Sequence, residues 1–585
     1  MRNFVRFCLR TVFRFLKVRC NIAVNENTLP QKAVYVSNHV SYLDPIILFA
    51  YLPGNPIFAL NGHLYRRKWI RFLMRTADVM LFNPIEPGDI KELIAKVDSG
   101  RRCVIFAEGR ITESGGLMKI YEAPGLVADK SKAPIIPVWI NGPQYGYFSK
   151  TKGKLPHRPL PKIRVKVKAP VNFKLKDELR RQRDHISNEV YVLMREMSFE
   201  ASYNDNISLF AQLMKTAKVH SKKGIFRRPT FVEDIQRVPN SYKDIIIKSY
   251  VLGKYFKKRT LPGEHVALLL PNSIAAVCTF FGLSAYERVP VMLNFSVGAA
   301  NMVSMCKTAV VKKVITSRLF IKNAKMENVA EALEKAGFQV VYLEDLRKEI
   351  GLWDKINAYL RYKIKRVPHK KGGNKKAVIL FTSGSEGAPK AVVLTHANIL
   401  SNIKQMSSIE TINISDTLFN ALPMFHSFGL TVGTLFPLLE GAKLFLYRCI
   451  TAWLPKLFMK SARQLCSEPT LFSAVTEKLP IRLTFTISAL CSAAPKRLNP
   501  TPAICGWNVS VSAFWKDTGL PSVRRLSAPI TVFSTVSVQS ASCCPKLNTK
   551  LKRLTESKKA ANWLSAAPIS CQVILCPTIP VFWYR

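Results

Sequence analysis

Two polar clusters, each closing an apolar run, hold residue types that can move a proton and grip an anion. In KAVYVSNHVSYLDP, residues 32–45, the run Val34 to Val36 leads into a turn that sets His39 five residues before Asp44. An imidazole acts as a general base when a carboxylate fixes its ring and supports the imidazolium that forms. The second cluster, Glu108-Gly109-Arg110, follows the run Cys103 to Ala107. Two strand ends can bring the clusters side by side, with Arg110 placed to hold a phosphate and Gly109 to let it approach. A core histidine paired with a loop carboxylate is the other reading of the first stretch, which by itself leaves both open.

A third cluster lies in AVILFTSGSEGAPKAVVLTHANIL, residues 377–400, where a β-rich run ends in Thr382-Ser383-Gly384-Ser385-Glu386-Gly387 and Lys390 follows. Small hydroxyl residues and glycines let backbone amides wrap phosphate oxygens, and a lysine can neutralise them. The spacing is not that of a Walker A loop, which sets ordinary P-loop nucleotidases aside. A plain surface turn is the alternative.

These clusters need a framework, and 585 residues are too many for one hydrophobic core, so about two to four domains are expected. Lys and Arg number 87 against 38 Asp and Glu, which draws the chain to polyanions such as an anionic membrane surface or an acidic carrier protein. Nucleic acid is not expected as a partner, because the basic patch of Lys150, Lys152, Lys154, Arg158, Lys162, Arg164, Lys166 and Lys168 has no interleaved aromatics for base stacking. An inert solvated face remains the other account of that patch. The 13 Cys are widely spaced, with no CxxC or HExxH, so neither a disulfide framework nor a dedicated metal site is expected.

At the amino end Arg2, Arg6, Arg10 and Arg14 recur every four residues among Phe, Val, Leu and Cys. On a helix this gives a basic stripe beside an apolar one, suited to a membrane interface or to packing on the domain itself. KIRVKVK, 162–168, alternates as a half-solvated strand, and NPIEPGD, 83–89, reads as a loop. The nearly uncharged stretch 265–286 is long enough to span a bilayer, but Pro271-Asn272-Ser273 divides it into strand, turn and helix. Strand-like and helical pieces then alternate through 311–345, as in an α/β domain.

The succession NHVSYLD, FAEGR and IIPVWI (135–140) resembles the glycerolipid acyltransferase family of membrane enzymes. The resemblance implies that His39 deprotonates an acceptor hydroxyl, that Asp44 orients it, and that Glu108, Gly109 and Arg110 contact the phosphate of a lysophospholipid. The donor in that family is a thioester, attacked directly by the hydroxyl. The family usually has proline where Ala107 stands. FAEGRITESGGLMKIYEAPG resembles one branch closely, in which a 2-acylglycerophosphoethanolamine acyltransferase is fused to an acyl-[acyl-carrier-protein] synthetase. Residues 377–400 resemble the adenylate-forming superfamily, with His396 opening a helix after the second strand. PMFHSFG, 423–429, resembles that superfamily's second substrate-lining segment, which would put His426 near acyl chain and nucleotide and let Gly429 approach closely; taken alone, His426 is equally a packed core residue. The resemblance implies ATP and Mg2+ for fatty-acid activation and no cofactor for acyl transfer.

From 451 to 585 the chain has four acidic residues, two Gly, twelve Pro and no His. A packed α/β domain needs Gly for tight turns and mixes both signs of charge. The expected organisation is a glycerolipid acyltransferase-like α/β domain over 1–195, a linker and synthetase start over 196–245, and an incomplete adenylate-forming α/β domain over 246–448. A basic tail, out of frame, would fill 449–585; a genuine basic domain is the alternative. The expected function is acyl transfer from acyl carrier protein to 2-acylglycerophosphoethanolamine at the cytoplasmic side of a bacterial inner membrane, coupled in intact relatives to ATP-dependent charging of the carrier with fatty acid. A stand-alone lysophospholipid or glycerol-phosphate acyltransferase, or an inactive scaffold that binds the carrier protein, are the alternatives.

Overall fold

The apolar runs ahead of the polar clusters fold as buried parallel strands. The computed structural model describes residues 1–447 except 17, 25–26, 66, 152, 173–182, 221–229, 365–366 and 383–388, together with three strand segments beyond 447. In the first domain the strands are β1 (Arg19–Ile22), β2 (Ala33–Ser37), β3 (Ile57–Leu60), β4 (Asp78–Leu81), β5 (Arg102–Phe106), β6 (Ile135–Asn141) and β7 (Arg164–Val167), in the order β1-β7-β6-β2-β5-β3-β4. From β6 to β4 neighbours run parallel, while β7 is antiparallel to β6. Strand β2 is buried on both faces, which is why Ala33 to Val36 run without polar alternation. Strand β7 does alternate, with Val165 and Val167 inside.

Alternate strand residues feed two cores. Tyr35, Phe58 and Val104 join one face with Phe13, Ile47 and Ile70; Val36, Ala59 and Ile105 join the other with Leu93, Val127 and Met194. The helices Arg2–Phe15 and Asp44–Tyr51 therefore cover the first face, and Pro87–Asp98, Ala123–Lys130 and Arg183–Ser202 the second.

The basic stripe of the first helix is divided. Arg6 is buried and donates to Asn55 Oδ1 at 3.0 Å and to the Leu52 carbonyl, and Arg10 Nε donates to the Ala50 carbonyl at 2.6 Å. These carbonyls close the helix Asp44–Tyr51, whose last turn lacks intrahelical donors and carries a partial negative charge. Its exposed residues include three aromatic rings, Phe4, Phe7 and Phe15, beside Arg10 and Arg14. The loop read over 83–89 ends at Glu86, because Pro87 opens a helix whose Asp89 carboxylate accepts from Asn83 N–H at 2.7 Å. Of the basic patch, Lys166 and Lys168 share Glu200, and Arg158 donates to the Lys218 carbonyl; Lys152 lies outside the described residues.

Residues 196–245, read as a linker and the start of the synthetase domain, are built into both domains. The helix Arg183–Ser202 packs Val190, Met194 and Met197 into the first domain, whereas Leu209–His220 packs Leu209, Phe210 and Leu213 into the core of the second. The two domains meet where Arg183–Ser202 lies against the helix His396–Ile409.

The second domain contains β8 (Val232–Asp234), β9 (His265–Leu268), β10 (Val289–Met292), β11 (Lys313–Thr316), β12 (Gln339–Tyr342), β13 (Lys376–Thr382), β14 (Lys390–Thr395), β15 (Asp416–Asn420) and β16 (Lys443–Leu446). One sheet has the order β12-β11-β9-β10-β13-β14, parallel except for β14. In the other, β8, β16 and β15 run parallel and are continued by Asn508–Lys516, Arg482–Leu490 and Phe533–Thr535. The remainder of the tail expected to be out of frame lies outside the described residues. The stretch 265–286 forms β9, a turn and the helix Ile274–Ala285, which Ser273 caps through Ala276 N–H and whose residues are almost all buried. No helix among the described residues is long and apolar enough to cross a membrane.

Replacing Arg6 by Ala removes one of the two arginines that close Asp44–Tyr51 and takes the donor from the Leu52 carbonyl. We expect a loss of about 1–3 kcal/mol in urea unfolding, against no more than about 0.5 kcal/mol for Arg14→Ala on the exposed side of the same helix.

Candidate active site

Parallel pairing of β2 with β5 puts the His39 turn and the Glu108-Gly109-Arg110 turn at the same edge of the sheet, since Ser37 aligns with Phe106. The two turns are laced through the backbone: His39 N–H donates to Glu108 Oε1 at 3.0 Å, and Thr112 N–H to the His39 carbonyl at 2.8 Å. Ala107 N–H donates to the Ser37 carbonyl at 2.9 Å, a bond that a proline at this position could not make.

His39 and Asp44 are in direct contact, with Nδ1 2.9 Å from Oδ2, and both are buried, at 4% and 0% exposure. The same Oδ2 accepts from the amides of Val40 at 2.6 Å and Ser41 at 2.7 Å. A carboxylate that only accepts fixes the hydrogen on Nδ1 and leaves the Nε2 lone pair to take a proton. Phe106 stacks on the imidazole with centroids 4.2 Å apart, which fixes the ring plane. Burial pushes the Asp44 carboxyl up, opposed by the bonds from His39, Ser41 and Val40. Its Oδ1 is buried with no hydrogen-bond partner among the described residues, so its hydrogen bonds all come through the oxygen that holds His39.

Glu108 has other work than phosphate contact. It is 1% exposed, and its second oxygen accepts from Met118 N–H at 3.0 Å, so the carboxyl ties the His39 turn to the loop that follows Arg110. Burial pushes it up to about 8. Arg110 is exposed, and Gly109 adopts a φ of +59°, where an added Cβ would lie 2.9 Å from both Pro84 and Tyr121. Of the three residues expected to touch phosphate, Arg110 is exposed, Gly109 is half-buried against Pro84 and Tyr121, and Glu108 is buried.

Sequence reasoning passed over Asn38. Its side chain donates to the Ile140 carbonyl at 2.9 Å and accepts from Ile140 N–H at 2.7 Å, fixing the turn to the end of β6. The signal was present: a polar residue directly after a wholly buried strand must find partners inside.

In the second domain Thr382 and Lys390 pair across the base of the β13–β14 hairpin, and both are exposed. Ser383, Gly384, Ser385, Glu386 and Gly387 lie outside the described residues. His396 is a structural residue: it opens a helix, burial lowers it to about 4, and its Nδ1 accepts from Leu209 N–H at 3.3 Å. His426 is exposed instead of packed, and its Nδ1 caps the helix Ser427–Leu430 by accepting from Phe428 N–H at 3.3 Å. That bond leaves Nε2–H free to donate outward. Gly429 approaches the chain itself rather than a ligand: a Cβ there would lie 2.2 Å from the Pro423 carbonyl oxygen. Asn272 bridges the Leu422 carbonyl and Met424 N–H, at 2.8 and 3.0 Å, tying this segment to the turn after β9.

The Glu108 carboxyl has an ordinary value of 4.5 and a folded value of about 8, so the folded state holds the proton more tightly. Its contribution to stability is fully present below the lower value and is lost as the pH rises through the upper one. We expect the urea midpoint to fall between these two values, with a shallower slope in Glu108→Gln; equal slopes would place the titration elsewhere.

A family model described as Acyltransferase matches residues 20–141, and one described as AMP-binding enzyme matches residues 230–517, past the change of composition near 449. The long-chain-fatty-acid–CoA ligase FadD13 of Mycobacterium tuberculosis is 32% identical over 183 residues, 31% of this chain and 34% of that enzyme. The oxalate–CoA ligase of Arabidopsis thaliana is 26% identical over 225 residues, 37% of this chain and 42% of that enzyme. This chain therefore spans well under half the length of either relative. A solved fatty acyl CoA synthetase of Mycobacterium tuberculosis aligns at 22% identity over 41% of this chain and 44% of its own, with a TM-score of 0.34. The chain joins an acyltransferase-family domain, at residues 20–141, to a domain of the AMP-binding enzyme family, at residues 230–517.

Proposed function

We propose that the first domain transfers an acyl chain from an acyl carrier protein thioester to the free hydroxyl of 2-acylglycerophosphoethanolamine. The observation that carries this reading is the buried 2.9 Å contact between His39 and Asp44 at the strand edge that also presents Arg110. His39 Nε2 takes the hydroxyl proton as the oxygen attacks the thioester carbonyl. The C–O bond forms, the C–S bond breaks, and the imidazolium returns the proton to the leaving thiolate. Asp44 supports the transient charge, and Arg110 holds the acceptor phosphate.

The second domain activates fatty acid with ATP for loading onto the carrier protein. Thr382 and Lys390 at the hairpin mouth fit a polyphosphate, which supplies the leaving group for activation. Mg2+ would enter on the nucleotide's own oxygens. In this reading the chain works at the cytoplasmic face of a bacterial inner membrane, which the exposed Phe4, Phe7 and Phe15 and the net charge of +49 support. The second reading, an acyltransferase with an inactive synthetase remnant, is favoured by the composition of 451–585, with its four acidic residues and two Gly.

Full-length protein given radiolabelled fatty acid, ATP, Mg2+, carrier protein and several lysolipids separates these readings. Transfer only from a preformed acyl thioester of the carrier protein, with no ATP-dependent charging, selects the second. His39→Ala is expected to lower transfer by roughly 10²–10⁴ and to leave any carrier charging unchanged. Asp44→Asn presents an amide N–H to the ring, or loses the contact, and is expected to lower kcat by about as much. An unchanged transfer rate in His39→Ala ends the assignment.

A further inference from the structure

The turn that carries His39 and Asp44 has a second set of cations beside it. Tyr42 N–H donates to the Phe148 carbonyl at 3.0 Å, and Ser41 Oγ donates to the same oxygen at 3.1 Å, so the segment after β6 is fastened to the catalytic turn. From that segment Lys150 places its ammonium 5.8 Å from the Tyr42 ring centroid. From the link between β3 and β4, Arg67 lays its guanidinium 4.2 Å from the same centroid and donates to Tyr42 Oη at 3.2 Å. Neither cation is in an ion pair among the described residues. Trp69 and Phe148, with rings 5.7 Å apart, join the same two segments.

Two like charges brought to one ring with no acid between them repel each other. A cation–π contact at a half-buried ring such as Tyr42 offsets only part of that. An anion between them would turn the repulsion into attraction, and a phosphodiester presents the oxygens that a guanidinium and an ammonium bind. The position matters as much as the charge. In the strand order β6-β2-β5, His39 follows the central strand, Arg110 follows β5 on one side, and Lys150 follows β6 on the other. Transfer between two phosphate-bearing substrates needs two anion contacts that approach the base from different sides, and Arg110 supplies one.

Resting on the proposed acyl transfer, we propose that Arg67, Lys150 and Tyr42 form the donor's anion site, binding the phosphodiester of the pantetheine arm that carries the thioester. A phosphodiester could also come from a phospholipid headgroup, and the test separates the sources. The full-length chain, as wild type and as Arg67→Gln/Lys150→Gln, is titrated with carrier protein bearing the pantetheine arm, with carrier protein lacking it, and with vesicles of neutral lipid containing lysophosphatidylethanolamine.

Wild type is expected to prefer the arm-bearing carrier by about tenfold. The double variant loses that preference while binding the vesicles as before. In transfer assays the donor KM rises by about the same factor, with kcat and acceptor KM unchanged. An arm preference that survives the double substitution overturns the proposal, as does a loss confined to vesicle binding. Because arm binding is read without turnover, a wild-type chain that fails to transfer acyl groups would remove the proposed reaction and still leave the arm preference to decide this site.

Discussion

One carboxylate oxygen organises the first domain's site. Asp44 Oδ2 gathers the His39 ring and the amides of Val40 and Ser41, so ring orientation and turn geometry are set by one group. Burying a charge is costly unless donors surround it, and here three donors converge on one oxygen while the other has none among the described residues. Asp44 also opens the helix Asp44–Tyr51, whose amino end favours negative charge. Arg6 and Arg10 complete that helix at its other end, which makes the first helix part of the scaffold behind the site.

Glu108 does for the gap between turns what Asp44 does within one. It joins the turn after β2 to the loop after β5, and its cost is a carboxyl held near neutrality by burial. Arg110 is then carried outward by a backbone that only glycine adopts comfortably at position 109. In the second domain the corresponding order comes from neutral groups: the Asn272 bridge and the His426 cap set the segment 422–428, while the β13–β14 hairpin aligns Thr382 with Lys390.

Much of the fold was legible because its local signals agreed. The runs before His39 and Glu108 became strands, the break at Pro271-Asn272-Ser273 split 265–286 into strand and helix, and KIRVKVK alternated as read. Less legible were residues whose partners lie far away in the chain. Glu108 looked like a ligand contact because nothing in its neighbourhood announces the amide of His39, 69 residues earlier. The stripe of arginines on the first helix has the spacing of an interfacial face, yet Arg6 and Arg10 find carbonyls more than 35 residues on. Gly429 carried the same ambiguity, since a glycine marks a close approach without saying to what.

The sequence by itself determined the order of the two domains, the strand–turn placement of His39, Asp44, Gly109 and Arg110, and the hairpin that brackets residues 383–388. The domain order follows from motifs that resemble two families, and the rest from apolar runs and residues close in the chain. Tertiary structure alone decided that β2 and β5 are neighbours, that Glu108 points in while Arg110 points out, and that Arg67 and Lys150 meet at Tyr42. The reason is physical: pairing and burial are set by contacts between segments distant along the chain, and a sequence pattern records a residue's need for a partner without recording which partner meets it.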